Sequence, residues 1–184
     1  MVTAPFVIRL ASSTDLLAIM DIYNHEVVHA TSTFDTEPVT LASRQTWLAE
    51  HQSPRRPVVV AEEIAVARIA GFGSLSAWSS RCAYARAAEV SIYVHHEARR
   101  RGVGRAILAE LVARAQAAGL GVLLARICSE GQASVALHRA LGFCHIGTMR
   151  RVGEKFGRIL DIELYDLQLD APSSGQPVSD RHAI

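Results

Sequence analysis

The chain has 184 residues, 49% of them hydrophobic, with a formal net charge of +1. That length suits one domain with its own core, and so balanced a charge exerts no general pull on nucleic acid. No apolar run approaches the about 18 residues that span a membrane, and the N-terminus lacks the basic-then-apolar layout of a signal peptide, so a cytoplasmic protein is expected. Phe6 to Leu10 reads as a first strand. Thr14 is placed to cap a helix carrying Leu16, Leu17, Ile19, Met20, Tyr23 and Val27. A polar loop with Phe34 and Pro38 follows, then a helix from about Leu41 to His51, ended by Pro54 and Pro57. Val58 to Ala61 and Val66 to Leu75 read as strands, 79 to 86 as a loop, and Glu89 to Val94 as a strand. Val103 to Ala118 is a helix by the spacing of Val103, Ile107, Leu108, Leu111, Val112 and Ala115. A strand near 122–127, a helix near 133–141 and strands near 144–150 and 158–167 complete the pattern. The order implies an α+β domain over 1–169 around a mixed sheet. The Pro-, Ser- and Gly-bearing stretch 170–184 reads as a disordered tail.

Between the strand at 89–94 and the long helix lies Arg99-Arg100-Arg101-Gly102-Val103-Gly104-Arg105. A basic, glycine-containing turn that opens a helix suits phosphate: the first-turn N–H groups lack intrahelical partners, and the helix dipole adds about half a positive charge. It is neither a Walker loop nor GxGxxG, since no Gly-Lys-Ser/Thr and no third glycine follow. Read alone it is equally a basic surface turn. It does match the [Gln/Arg]-x-x-Gly-x-[Gly/Ala] pattern of GCN5-related N-acetyltransferases. Further pieces stand in the expected order: Ile22-Tyr23-Asn24-His25, Phe34-Asp35-Thr36-Glu37-Pro38, Ala83-Tyr84, Glu89 before Ser91-Ile92-Tyr93-Val94, Ser134-Val135 with Leu137-His138, Ala140-Leu141-Gly142-Phe143, and Gly153-x-Lys155-x-Gly157-x-x-x-Asp161. Over roughly residues 6–169 the chain resembles the phosphinothricin and methionine sulfoximine acetyltransferase branch of that superfamily.

The resemblance implies the acetyltransferase fold, a central, mostly antiparallel mixed sheet flanked by helices, with acetyl-CoA as co-substrate and no metal. It implies a small-molecule amine acceptor and a homodimer with the loop from Phe34 to Pro38 near the partner or the substrate mouth; charge and the short apolar runs set aside a nucleic-acid or membrane partner. The cofactor contacts it implies are Arg99, Arg100, Arg101, Gly102, Val103, Gly104 and Arg105 for the pyrophosphate, Ile92, Tyr93 and Val94 for pantetheine, and Gly131. It further implies a splay of the strand near Ile92 to Val94, with the Val94 N–H as oxyanion donor. Acetyl transfer to an amine needs a base, and Glu89 is the candidate. Strand alternation sets Glu89, Ser91 and Tyr93 on one side, and burial among Ala87, Ala88, Val90 and Ile92 would strengthen the carboxylate as a base. The bland alternative is a half-solvated sheet glutamate. His138, as imidazolium, is the candidate acid for the leaving thiolate, or else a solvated helix histidine; a thiol of pKa about 8.5 leaves fairly well unaided, so Glu89 should matter more. Phe34, Arg81, Tyr84 and Lys155 are candidate acceptor contacts, with Arg81 and Lys155 as cations flanking the mouth; each is otherwise a surface residue.

Four departures from the branch bear on this. Ser79 stands where arginine usually follows the loop tryptophan, Ala85-Arg86 replace Asp-Trp, Gly131 replaces an asparagine, and Ile159 replaces a tryptophan. Three of them touch the acceptor side. Cys82, Cys128 and Cys144 are odd in number and lack CxxC spacing, which indicates neither a disulfide framework nor a zinc ribbon. The apolar sequence around Cys128 and Cys144 disfavours a thiolate nucleophile, so direct transfer is expected. Two competing readings remain at this point: an acyl-CoA-binding protein without turnover, and a zinc hydrolase built on His25-Glu26-Val27-Val28-His29.

Overall fold

The computed structural model describes residues 6–169; the tail 170–184 lies outside the described residues. The elements are β1 (Val7–Leu10), α1 (Leu16–His29), α2 (Leu41–Glu50), β2 (Val58–Glu63), β3 (Arg68–Ala77), β4 (Ala87–Val94), α3 (Val103–Ala117), β5 (Val122–Cys128), α4 (Gln132–Ala140), β6 (Cys144–Lys155) and β7 (Arg158–Gln168). The strands form one sheet in the order β1-β2-β3-β4-β5-β7-β6. All neighbours are antiparallel except β4 and β5, which run parallel. This is the α+β, mixed but mostly antiparallel sheet that the sequence implies. Among the described residues no helix is long and apolar enough to cross a membrane.

Each face of the sheet carries its own core. On one face Ile107, Leu108 and Leu111 of α3 and Val135 of α4 meet Val59, Leu75, Val90 and Leu123. On the other, Leu16, Ile19, Tyr23 and Val27 of α1 and Leu48 of α2 meet Val58, Val60, Ile69 and Phe72. Fully burying a Leu or Ile side chain contributes about 1.5–3 kcal/mol. Two glycines of β3 set how closely α3 approaches. A Cβ on Gly73 would lie 2.6 Å from Ile107 and 2.9 Å from the Ser91 carbonyl, and one on Gly71 would lie 2.8 Å from the Tyr93 carbonyl.

Two expectations need correction. Thr14 does not cap α1. A 3₁₀ turn, Ser13–Asp15, precedes the helix, and the Ser12 N–H donates to the Asp15 carboxylate at 2.8 Å. Arg9 of β1 donates to the same carboxylate at 2.7 and 2.8 Å. A buried carboxylate with a guanidinium beside it is a stronger partner for these groups than a threonine hydroxyl. The strand expected at 144–150 runs on to Lys155. Met149 pairs with Ile162 and Gly153 with Leu160, so β6 bulges in between. Arg151, in the bulge, has φ 55°, and its N–H donates to the Asp161 carboxylate at 2.6 Å. A bulge breaks the two-residue alternation by which a strand is read. The hairpin then turns through Phe156 and Gly157, both at positive φ, as a two-residue type I′ turn requires.

Candidate active site

The parallel pairing of β4 with β5 is incomplete. β4 pairs with β5 over Ala87, Ala88 and Glu89, opposite Val122, Leu123 and Leu124. Beyond Glu89, β4 keeps its β3 partners as far as Val94. The His95 N–H donates to the Ala70 carbonyl, on the β3 side. Because backbone groups alternate in direction along a strand, Ile92 and Val94 aim their N–H and C=O groups the other way, into the opening where β5 has diverged. The splay implied for Ile92 to Val94 therefore begins one residue past Glu89.

The N-terminus of α3 follows directly. The Ala106 N–H bonds to the Gly102 carbonyl, so the N–H groups of Val103, Gly104 and Arg105 precede the intrahelical ladder. Gly102 is left-handed (φ 84°), and a Cβ there would meet nothing within 4 Å, so the space above the turn is open. Gly104 is confined for a different reason: a Cβ would lie 3.2 Å from Leu137 of α4, so this glycine serves helix packing. The arginines divide in two. Arg99 is paired with Glu26 of α1, and Arg101 with Glu63 of β2 at 2.5 Å. Arg100 and Arg105 are exposed. Glu26 and Glu63, both buried, brace the turn; the sequence offers Glu26 only as part of a zinc motif and Glu63 not at all, because both are distant from the turn in the chain.

Glu89 lies on the face away from α3, two residues before Ser91 and four before Tyr93. The expected alternation holds: Val90, Ile92 and Val94 pack against the α3 core, and Tyr93 packs with α1 and Phe72. Both Glu89 oxygens accept from Arg126 of β5, Oε1 from Nε at 2.7 Å and Oε2 from Nη2 at 2.5 Å. That bond raises the Arg126 pKa above its ordinary value. Arg126 also lies over the Trp78 ring, 5.6 Å from its centroid. Each carboxylate oxygen has two lone pairs, so Glu89 keeps acceptor capacity beyond the pair. Nothing in the sequence singles out Arg126, whose place beside Glu89 follows from β5 lying parallel to β4 in this register.

His138 is buried at 4% exposure, edge-on to Phe143. It is not a solvated helix histidine. Its Nδ1 lies 2.8 Å from the Ser134 carbonyl, which can only accept, so Nδ1 carries the proton. Nε2 is buried without a hydrogen-bond partner. Burial pushes the pKa below the ordinary histidine value. Burial thus disfavours the charged imidazolium that an acid at this position would use, and the Nδ1 proton is committed to a backbone carbonyl.

The acceptor-side candidates separate. Phe34 packs on β6, where a Cβ on Gly153 would fall within 1.9 Å of its ring. Lys155 is not a cation at the mouth: it lies in β6, buried, and Nζ donates to the Thr33 carbonyl at 2.7 Å. Together these contacts tie the loop after α1 to the β6–β7 hairpin. Arg81 and Tyr84 are exposed beside a 3₁₀ turn, Cys82–Tyr84. Gly131 is the N-cap of α4, its own Cβ position 3.0 Å from the Cys128 carbonyl. Cys144 is exposed rather than set in apolar surroundings; Cys128 is buried. In His25-Glu26-x-x-His29, His25 stacks on His96 and Glu26 turns inward to Arg99 and Ser32, so Glu26 is unavailable to a water between the two imidazoles. Among the described residues no group of three His, Cys, Asp or Glu side chains is placed to hold a metal ion. A cavity of about 350 Å³ lies elsewhere, near Leu48, His51 and Arg114, and includes none of the candidate residues.

Comparison with known proteins converges on one family. The model of the acetyltransferase (GNAT) domain matches residues 8–164. The L-methionine sulfoximine/L-methionine sulfone acetyltransferase of Salmonella typhimurium is 38% identical over 163 residues, which cover 89% of this chain and 94% of that protein. The phosphinothricin N-acetyltransferase of Streptomyces coelicolor is 37% identical over 169 residues, 91% and 98% of the two chains. The crystal structure of a GNAT superfamily phosphinothricin acetyltransferase from Sinorhizobium meliloti in complex with acetyl-CoA superposes with a TM-score of 0.88 at 34% identity, covering 96% and 95%. A sheet opened beside a free helix N-terminus, in a chain this similar to named N-acetyltransferases over nearly its whole length, belongs to the GNAT family of acetyltransferases.

Proposed function

We propose that the protein acetylates the primary amine of a small amino-acid-like acceptor, of the phosphinothricin or methionine sulfoximine type, by direct transfer from acetyl-CoA with Glu89 as general base. The carrying observation is the join of β4 to α3. Unpaired backbone groups at Ile92 and Val94 run straight into a helix N-terminus, with a carboxylate on the opposite face of the same strand. Pantetheine adds to the open β4 edge as a strand would. The N–H groups of Val103, Gly104 and Arg105, with Arg100 and Arg105, hold the pyrophosphate. Arg99 and Arg101 keep the turn in place through Glu26 and Glu63. The co-substrate supplies acetyl as a thioester, so an amide C–N bond forms and a C–S bond breaks. Glu89 takes the ammonium proton, and the Val94 N–H donates to the thioester oxygen. His138 commits its Nδ1 proton to the Ser134 carbonyl, and a thiol of pKa about 8.5 leaves without an acid.

The resemblance to the family and the long outer strand β6 support a homodimer: Ile146, Met149 and Val152 are exposed there. Three unpaired cysteines agree with a cytoplasmic location. The test mixes protein, acetyl-CoA and a panel of amino acids, analogues and polyamines and follows free thiol. Fastest release with methionine sulfoximine or phosphinothricin is expected. Preference for a polycationic amine would refute the anionic-acceptor half and leave acetyl transfer intact.

A further inference from the structure

We infer that Arg126 is the receptor for the acceptor's carboxylate, and that Arg126 and Glu89 together form a charge pair complementary to an α-amino-acid zwitterion. The inference rests on the function proposed above. Arg126 is placed by the point at which the sheet opens: it lies two residues beyond Leu124, the last β5 residue paired with β4. Leu123, Ala125 and Ile127 face the α3 core, so alternation turns Leu124 and Arg126 to the face that carries Glu89. The α1–α2 layer packs on β2, β3 and the end of β4 and does not reach this part of β5, which leaves the Arg126 side chain 52% exposed while Glu89 is 16% exposed.

Guanidinium has five N–H donors in a planar fork. Glu89 takes one edge, Nε and Nη2. The Nη1 edge has no hydrogen-bonded partner among the described residues and can take a second carboxylate without breaking the first pair. The Trp78 ring supports the guanidinium from one side. An acceptor carboxylate on that edge brings its α-ammonium to the Glu89 side of the pair, against the base. Ser79, the residue after Trp78, carries no charge, and Arg126 supplies the cation against that ring.

The experiment compares methionine sulfoximine with its α-carboxamide, which keeps the amine and lacks the carboxylate charge. Both are assayed in the wild type, Arg126→Ala, Arg126→Lys and Arg81→Ala, following thiol release. In the wild type the acid should exceed the amide in kcat/KM by about 10²-fold or more. Arg126→Ala should reduce that ratio by about 10- to 100-fold, mainly through the acceptor KM, with the acetyl-CoA KM unmoved. Arg126→Lys should restore part of it, as a point charge without the fork. Equal losses on acid and amide would overturn the inference and make Arg126 a partner of Glu89 alone. So would a loss of discrimination confined to Arg81→Ala. Turnover in the wild type without acid–amide discrimination removes the inference and spares acetyl transfer; no turnover with any amine removes the proposed function as well.

Discussion

Glu89 and His138 are both ionisable and are held in opposite conditions. Glu89 is a half-buried carboxylate on a guanidinium; His138 is a buried ring with its Nδ1 proton committed to a backbone carbonyl. Replacing Glu89 with Gln keeps shape and removes basicity. It should lower kcat by about 10² to 10⁴ near neutral pH while leaving the acetyl-CoA KM nearly unchanged; steady-state kinetics over both substrates checks this, and a variant keeping most of its activity makes Glu89 structural. His138→Ala should cost less in kcat than Glu89→Gln. Its main effect should be on folding, about 1–3 kcal/mol in a denaturant titration, because it empties a packed site against Phe143. Glu89 was legible because an acidic residue among alanines and valines on a strand is conspicuous. Arg126 was not, because its meaning comes from a neighbouring strand 37 residues away. Lys155 misled for the opposite reason: a lone lysine among glycines reads as a surface turn, and only the bulge and the Thr33 carbonyl show it to be inside.

At the scale of elements, α3 was the most legible piece and its seat the least. The helix follows from apolar spacing alone. How far its N-terminus stands from β4 is decided by Gly71 and Gly73 on β3, whose alternation with Ile69, Phe72 and Leu75 gives no hint that a helix presses on them. Gly73→Ala should place a methyl against Ile107 and the Ser91 carbonyl, costing about 1–3 kcal/mol by overpacking. The same change should raise the acetyl-CoA KM, since β4 and α3 are pushed apart; thermal melts and kinetics read the two effects separately. The start of α1 and the end of β6 were misread because each is set by a carboxylate reached through folding: Asp15 by Arg9, and Asp161 by the N–H of Arg151.

Across the whole molecule, Arg9 links the first strand to Asp15 before α1 and to Glu62 on β2. The Arg9 hydrogen bonds hold the Asp15 carboxyl below the usual aspartate range, against the opposing push of burial. A depressed folded value means that the unfolded chain takes up the proton first. The stability from this group is therefore complete above the unfolded pKa of about 3.9 and is lost as pH falls through the lower folded value. Asp15→Asn should cost about 1–2 kcal/mol at pH 7, and its deficit against the wild type should shrink in acid; paired urea titrations across that range test the sign. The opened edge of β4 has a consequence for the resting protein. Ile92 and Val94 stand beside a sheet on both sides yet complete a ladder on only one. In deuterium exchange their amides should therefore trade hydrogen far faster than the neighbouring Tyr93 amide. Acetyl-CoA should quench that exchange selectively, and the midpoint of unfolding should climb with the logarithm of its concentration.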